Sequence, residues 1–556
     1  MNRNLVSFAA LVGTLGAALA GCGGAAQPQP AAPAVPASSQ TETQPQETPV
    51  EPPAQPIRNV QTATPQELTF PDDAFRATQP TAGAPRPFRL PKVKPFTLKS
   101  GIKVYLVEQH ELPLVSMDLN FGGGSMIDPK GKEGLASVCM AMLTEGTSKL
   151  DKIQYAEALA DVASNISTYA TDDSHGVGMN SLTKHLEPTF ALFVDTLLDP
   201  GFRQADFDRM IKRRIESVKQ SKGTPASVAS RVTGTVLYGL SHPFGTVVTE
   251  ESLKAITLDD CRAFAAKWIK PRNAQLFVVG DLTEAQVRSY FDGGALAAWK
   301  GALPKTPALP QPAKAAGRIF FVHIPGAAQS QISVMHFGPK RNAADYFANA
   351  MMASVFGGGF SSRINMNLRE DKGYSYGAGG GFSYSKAYGT FRAGASVRTD
   401  ATYQSLLEMH REVNDLASGA RPVQKAELER EKQGAILGLP ARFSTGQSAL
   451  GQYRSLVYFG LPLDYYNRYV DQVGKVTEAQ VKASAKKHLK PTQALYLVVG
   501  DGNAPVIVRD SSGKDVPLVK DGKQLTLREA LADLAARGDV GSGGLIELDT
   551  DGRPLR

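Results

Sequence analysis

Cysteine is nearly absent from this chain, with three residues in 556. That number cannot build a disulfide scaffold, and it cannot fill a four-thiolate zinc or iron-sulfur site. Histidine is also sparse, so the eight imidazoles are the main reserve of metal ligands. Charge of one sign is missing too: 61 Lys and Arg against 53 Asp and Glu leave a formal net charge of +8. No basic block interleaved with aromatics stands out, which excludes a nucleic-acid surface. What is present is ordinary globular material, 42% hydrophobic and 21% charged, and it rules out a collagen-like or wholly disordered chain. A length of 556 residues predicts two or three domains.

The chain opens with Asn2 and Arg3 ahead of an apolar run from Leu5 to Ala20, too short to span a bilayer with such flanks and readable as an export signal over residues 1–21. Its end, Leu19-Ala20-Gly21-Cys22, resembles the lipobox of bacterial lipoproteins. The resemblance implies diacylation of Cys22 and a body anchored to a membrane. By resemblance to enterobacterial lipoprotein sorting, Gly23 after the cysteine implies the outer membrane, facing the periplasm. Residues 22–92 form a tether, since 15 of the 36 prolines fall within 23–92 among Ala, Gln, Thr and Ser, a composition that cannot offset the entropy of ordering. Of the three cysteines, only Cys22 receives a role from sequence.

Self-similarity organises the rest. Lys270-Pro271-Arg272-Asn273-Ala274 running to Gly280-Asp281 returns as Lys490-Pro491-Thr492-Gln493-Ala494 running to Gly500-Asp501, and the helix opened by Thr257 returns at Thr477. Two homologous domains follow, 93–300 and 317–503, joined by a linker over 301–316 that holds four prolines. Val115, Met117, Leu119 and Phe121 alternate with Ser116, Asp118 and Asn120, the signature of a half-buried strand. Leu135, Val138, Cys139 and Met142 recur at helical spacing over 134–143 and predict a core-facing helix. Without a regular βαβ rhythm, the fold class is α+β, each domain a mainly antiparallel sheet packed with helices. Residues 504–556 are a C-terminal extension in which Thr526 to Glu529 predicts a capping box.

The run from Gly124 to Ala136, with Gly146-Thr147 behind it, resembles the approach to the active-site helix of the pitrilysin/insulinase metallopeptidases, the inverzincins. The resemblance spans both repeats and implies two insulinase-like domains. In that family two histidines at i and i+4 bind zinc and the glutamate before the second activates water. Here those positions hold Ser137, Met140 and Ala141, and the third ligand, counted back from Pro225, becomes Ser217. Adjacent Glu216 is turned by about 100° on a helix. No two histidines are spaced as a helical ligand pair. The zinc site is degenerate, and no metal or other cofactor is expected to bind directly.

The second repeat keeps what the first has lost. Gly357-Gly358-Gly359-Phe360-Ser361-Ser362-Arg363 leads to Leu368 through Tyr376, a segment resembling the one by which the family's C-terminal domain meets substrate through an arginine and a tyrosine seven residues later. Arg369 and Tyr376 have that spacing, with Tyr374 as the competing phenol. A guanidinium fork suits peptide carbonyls and a phenol suits an oxyanion. The basic run Arg209, Lys212, Arg213, Arg214, Lys219 and Lys222 reads either as a solvated face or as a wall attracting acidic segments. The resemblance implies a non-catalytic, substrate-binding subunit of a heterodimeric zinc metallopeptidase acting on peptides. Its partner would be a homologous insulinase-like subunit that carries the zinc. The alternatives are a structural or peptide-holding protein of the same fold, or a self-sufficient protease, which would require bound zinc.

Overall fold

The computed structural model describes residues 92–312, 317–541 and 543–555, with Thr78, Gly83 and Leu90 ahead of them. The leader, Cys22 and nearly all of the tether lie outside the described residues. Two units divide the chain, and the elements below belong to the one that includes Phe88–Arg556; of Ala25–Pro87, Thr78 and Gly83 are described. Among the described residues no helix is long and apolar enough to cross a membrane.

Strands β1 (Lys94–Thr97), β2 (Lys103–Glu108), β3 (Leu114–Gly122), β4 (Asn165–Ala170), β5 (Ser174–Leu182) and β6 (Ala274–Gly280) form one six-stranded sheet, ordered β1-β2-β6-β3-β5-β4. Strands β7 (Arg318–His323), β8 (Gln329–Gly338), β9 (Ser375–Tyr384), β10 (Gly389–Arg398) and β11 (Leu495–Gly500) repeat it as β7-β11-β8-β10-β9. In each copy one pair, β2 with β6 and β7 with β11, is parallel, and the other pairings of these strands are antiparallel. The sequence repeat is thus a repeat of topology, and the α+β reading holds.

The edges differ. In the first sheet β1 lies antiparallel to β2. In the second, the corresponding edge is closed by the far end of the chain. After two short hairpins, β12 (Ile507–Arg509) with β13 (Asp515–Pro517) and β14 (Val519–Lys520) with β15 (Lys523–Gln524), comes the helix Leu527–Arg537, which Thr526 opens with the expected capping box. Then β16 (Leu545–Leu548) runs parallel to β7. Residues 504–556, read from sequence as an extension beyond the last domain, therefore complete that domain's sheet, and Leu527, Leu531 and Leu534 are buried in its core. The turn after β16 reaches the first repeat, where Asp551 accepts from Lys222 at 2.9 Å and Arg231 at 2.6 Å.

Each repeat also donates a helix to the other's sheet. Val228, Ala229, Val232 and Val236 of the helix Pro225–Tyr238 share a core with Met335, Leu495, Leu497 and Val499. Reciprocally, Ala449, Leu450, Tyr453 and Leu456 of the helix Gly446–Tyr458 share one with Val107, Phe277 and Val279. This exchange changes the reading of β3. Its apolar side chains enter the first repeat's own core as expected. Its polar face is buried as well, with Asp118 at 4% exposure beneath the donated helix, where Arg454 Nη1 meets Asp118 Oδ2 at 2.8 Å. Period-2 patterning marks a two-faced strand but not what covers the polar face.

Candidate functional site

The altered motif lies on the helix Leu135–Met142. Gly134 precedes it at φ 101°, a left-handed conformation natural to glycine. The Asp128 carboxylate accepts from the Gly134 and Ala136 amides, both at 2.8 Å, satisfying donors that a helix N-terminus leaves open. Burial pushes that carboxyl up to about 6. Leu135, Val138, Cys139 and Met142 face the core as the spacing predicted. Met140 joins them at 1% exposure, so the position that would carry the catalytic base is sealed in apolar surroundings.

Ser137 is reached by an arginine. Arg214 comes from the helix Gln204–Ser221, the one that also carries exposed Ser217. Its Nη1 donates to Ser137 Oγ at 3.0 Å and its Nη2 to the Ser137 carbonyl at 3.1 Å. Residues 214 and 217 are three apart on a helix and share a face. A guanidinium from the third-ligand helix therefore reaches the first-ligand position. Two hydroxyls, a thioether and a methyl group are poor zinc donors, and a fixed cation beside them repels a dication. The residues present do not fit the metal. Among the described residues no group of three His, Cys, Asp or Glu is placed to hold one.

The cysteines require a correction. Cys139, at the centre of the altered motif, is disulfide-bonded to Cys261 on the helix Leu258–Trp268. Their 122-residue separation hid the pair from sequence, and only the fold brings their Cα atoms to 4.7 Å. The family's metal-binding helix is thus stapled to its neighbour.

The basic helix is largely neutralised within the fold. Glu145 meets Lys152 at 2.6 Å, Arg209 at 3.2 Å and Arg213 at 3.5 Å. Lys219 pairs with Glu216, and Lys222 with Glu250 and Asp551. That leaves little unpaired charge for a wall that attracts acidic segments. Three of the histidines have other partners: His110 pairs with Asp281, buried His175 stacks on Phe121, and His242 accepts from the Phe244 amide through Nδ1 and places Nε2 beside the Pro310 carbonyl and the Tyr388 hydroxyl.

The second repeat's segment is built differently. The helix Tyr346–Gly357 ends where a Cβ at 357 would lie 2.3 Å from the Gly380 nitrogen, so only glycine allows the approach to β9. Arg363 donates to both Glu427 carboxylate oxygens, at 2.8 and 2.6 Å, and to the Pro422 carbonyl. Asn365 bridges the Phe360 carbonyl and the Ala378 amide, and Asn367 donates to Glu408 and Glu412. These contacts fix a wide π-helical turn, Met366–Asp371, a form often found at functional sites.

Arg369 projects from that turn, its guanidinium 4.7 Å from the Phe360 ring centroid and its Nε 3.1 Å from Glu370. Tyr376 stands near the start of edge strand β9 at 88% exposure. No hydrogen bond joins Arg369 to Tyr376. Tyr374 is buried, its hydroxyl donating to Gln404, which makes it a core residue and leaves Tyr376 as the available phenol. Sequence reasoning missed Arg214 and the Cys139–Cys261 bond. For Arg214 a signal existed, its i−3 spacing from Ser217.

Comparison with known proteins agrees with this geometry. A family model described as insulinase (peptidase family M16) matches residues 103–237, and one described as peptidase M16 inactive domain matches 255–435. The chain is 20% identical over 409 residues to the non-peptidase homolog YmxG of Helicobacter pylori, covering 72% of this chain and 93% of that one. It is 20% identical over 290 residues to the zinc protease PqqE of the same organism, covering 51% and 65%. A crystal structure of a peptidase M16 inactive domain from Pseudomonas fluorescens superposes with a TM-score of 0.67 at 26% identity, covering 74% of this chain and 98% of that one.

Proposed function

The chain belongs to the M16 peptidase family as a member that has lost the residues of catalysis, and from that premise we propose that it is the substrate-binding subunit of a heterodimeric zinc metallopeptidase. Its partner is a homologous subunit with an intact metal motif, and peptides are the substrate. The observation that carries this reading is the contrast between the repeats. The metal helix is occupied by Arg214 and stapled at Cys139, whereas Arg369 and Tyr376 stand exposed on a hydrogen-bonded scaffold. A surface tyrosine with its hydroxyl open to solvent adds little to stability, so its presence at the family's substrate spacing favours use in binding.

In the complex the partner's zinc would polarise the scissile carbonyl and activate water. This chain's Arg369 would hold a substrate carbonyl through its planar fork, and Tyr376 would donate to the developing oxyanion, a contact worth ~3 kcal/mol. Two relatives in one organism, one called a non-peptidase homolog and the other a zinc protease, support such a division of labour. Acylation of Cys22 would anchor the pair to the envelope membrane, and the 22–92 tether would hold the folded body away from the bilayer. Purifying the chain alone and with a zinc-bearing homologue tests the reading. No peptidase activity is expected from this chain alone, and the mixture should exceed the homologue by itself. A homologue whose activity is indifferent to this chain would leave a structural or peptide-holding role instead.

A further inference from the structure

The two repeats line a concavity of about 600 Å³ that includes neither the metal helix nor Arg369 and Tyr376. One wall is the underside of the first sheet, with Tyr169 and the turn that carries Asp172 and Asp173. The other comes from the second repeat and is dense in tyrosine. The volume lies within the ordinary range for small-molecule sites.

Its electrostatics are uneven. Arg454 reaches the cavity but is neutralised by Asp118 at 2.8 Å. Arg341 lies 3.5 Å from the Tyr346 ring centroid and 5.2 Å from that of Tyr465, to whose hydroxyl it donates at 3.0 Å. Arg442 lies 5.5 Å from the Tyr469 ring centroid. Among the described residues neither Arg341 nor Arg442 has a carboxylate within ion-pair distance. On the basic helix of the first repeat Arg209, Arg213, Lys219 and Lys222 have each found an acid, and Arg341 and Arg442 differ from them in facing rings instead. Half-buried guanidinium groups held by ring faces and, for Arg341, one phenol hydroxyl retain unused donors in a region of reduced dielectric, where an anion gains most. The surrounding rings offer flat apolar area for stacking.

We propose that this cavity binds a carboxylate carried on an aromatic body, with Arg341 and Arg442 receiving the carboxylate and the tyrosine rings the aromatic part. Asp172 and Asp173, on the first-repeat wall, would receive an amino group if the ligand has one, as a short peptide does. Asp173 is already oriented by the Tyr458 hydroxyl, which donates to it. The site is separate from the Arg369 and Tyr376 segment and does not depend on pairing with a zinc-bearing subunit.

Calorimetric titration of the full chain with Phe-Phe, Phe-Phe amide and 3-phenylpropionate tests the proposal. Phe-Phe is expected to bind, and its amide at least ~10-fold more weakly, the loss of a charge-assisted contact. Tighter binding of Phe-Phe than of 3-phenylpropionate assigns a peptide source through Asp172 and Asp173, whereas equal binding assigns a free aromatic acid. Both outcomes uphold the site. Equal binding of Phe-Phe and its amide, or no binding by any of the three, overturns it. Arg442→Gln should weaken Phe-Phe binding ~10-fold. Because that change could perturb folding, Ala350→Phe serves as a second variant that fills the cavity from its lining. A folded Ala350→Phe protein that still binds Phe-Phe with unchanged affinity would also overturn the proposal.

Discussion

Between β3 and β4 the first repeat holds the helix Leu135–Met142; after β8 the second holds the segment that carries Arg369 and runs into β9 at Tyr376. The two regions have been treated in opposite ways. Around the first, the fold has closed: Met140 is sealed in the core, Arg214 binds Ser137, and a disulfide joins Cys139 to the next helix. Around the second, Arg363, Asn365 and Asn367 stiffen the backbone through hydrogen bonds, yet Phe360 is 61% exposed and Tyr376 88%. A site that no longer does chemistry is free to be recruited for stability. A surface that meets a partner or substrate, the role proposed for this one, has to stay open. The contrast predicts that perturbing the first region affects folding, and that perturbing the tip of the second affects only binding.

The largest stability effect is expected at the staple. Replacing both Cys139 and Cys261 by Ala frees a loop spanning 122 residues, which on the chain-entropy account removes about 4–5 kcal/mol. The denaturant midpoint of the double variant should fall accordingly, and wild type in strong reductant should match it. An unchanged midpoint would break the contrast at its strongest point.

Acid should then act on both repeats alike. Burial holds His175 in the first sheet and His336 in the second at about 4, against 6.5 for an exposed imidazole. Both fold as neutral rings, so their contribution is complete above about 6.5 and is lost as pH falls toward 4, about 3 kcal/mol for each. Asp128 runs the other way: raised to about 6, it contributes most below its ordinary value and loses that contribution as pH rises through 6. His175→Phe and His336→Phe should each flatten the acid limb of a stability curve measured from pH 7 to 4. Flattening by only one of them would show that the repeats differ in their sheets as well as in their sites.

A smaller effect is expected at the tail. Asp551→Asn weakens the contacts to Lys222 and Arg231 while Glu250 still neutralises Lys222, so the loss should be about 1–3 kcal/mol in thermal unfolding, short of the full cost of an orphaned buried charge. The smallest is expected at Tyr376. Phe there should change stability by under ~0.5 kcal/mol, because the hydroxyl lies open to solvent.

Much of this was legible in the sequence where local pattern and physical constraint coincide. The repeated segment ending at Gly280 and Gly500 marked both copies of one topology. The capping residues Thr257, Thr477 and Thr526 located three helix starts, and the 3.6-residue spacing found the buried face of Leu135–Met142. The spacing of Arg369 and Tyr376 pointed to a segment whose scaffold the structure explains. What stayed hidden depends on distance along the chain. The helices Pro225–Tyr238 and Gly446–Tyr458 announce an apolar face but not that it covers the other repeat's sheet. Four residues, Leu545–Leu548, carry too little pattern to be assigned to the edge of a sheet that begins at Arg318. Arg214 looked like one cation of a solvated row until its helix was laid against Ser137.

The central claim, that this chain supplies substrate contacts to a partner's zinc site, is tested most directly at Tyr376. The measurement is the peptidase activity of the assembled pair, with wild-type chain and with Tyr376→Phe, at matched folding and matched complex formation. A fall of ~100-fold, the usual consequence of losing one oxyanion donor, is the predicted result; full activity in the Tyr376→Phe complex would contradict it.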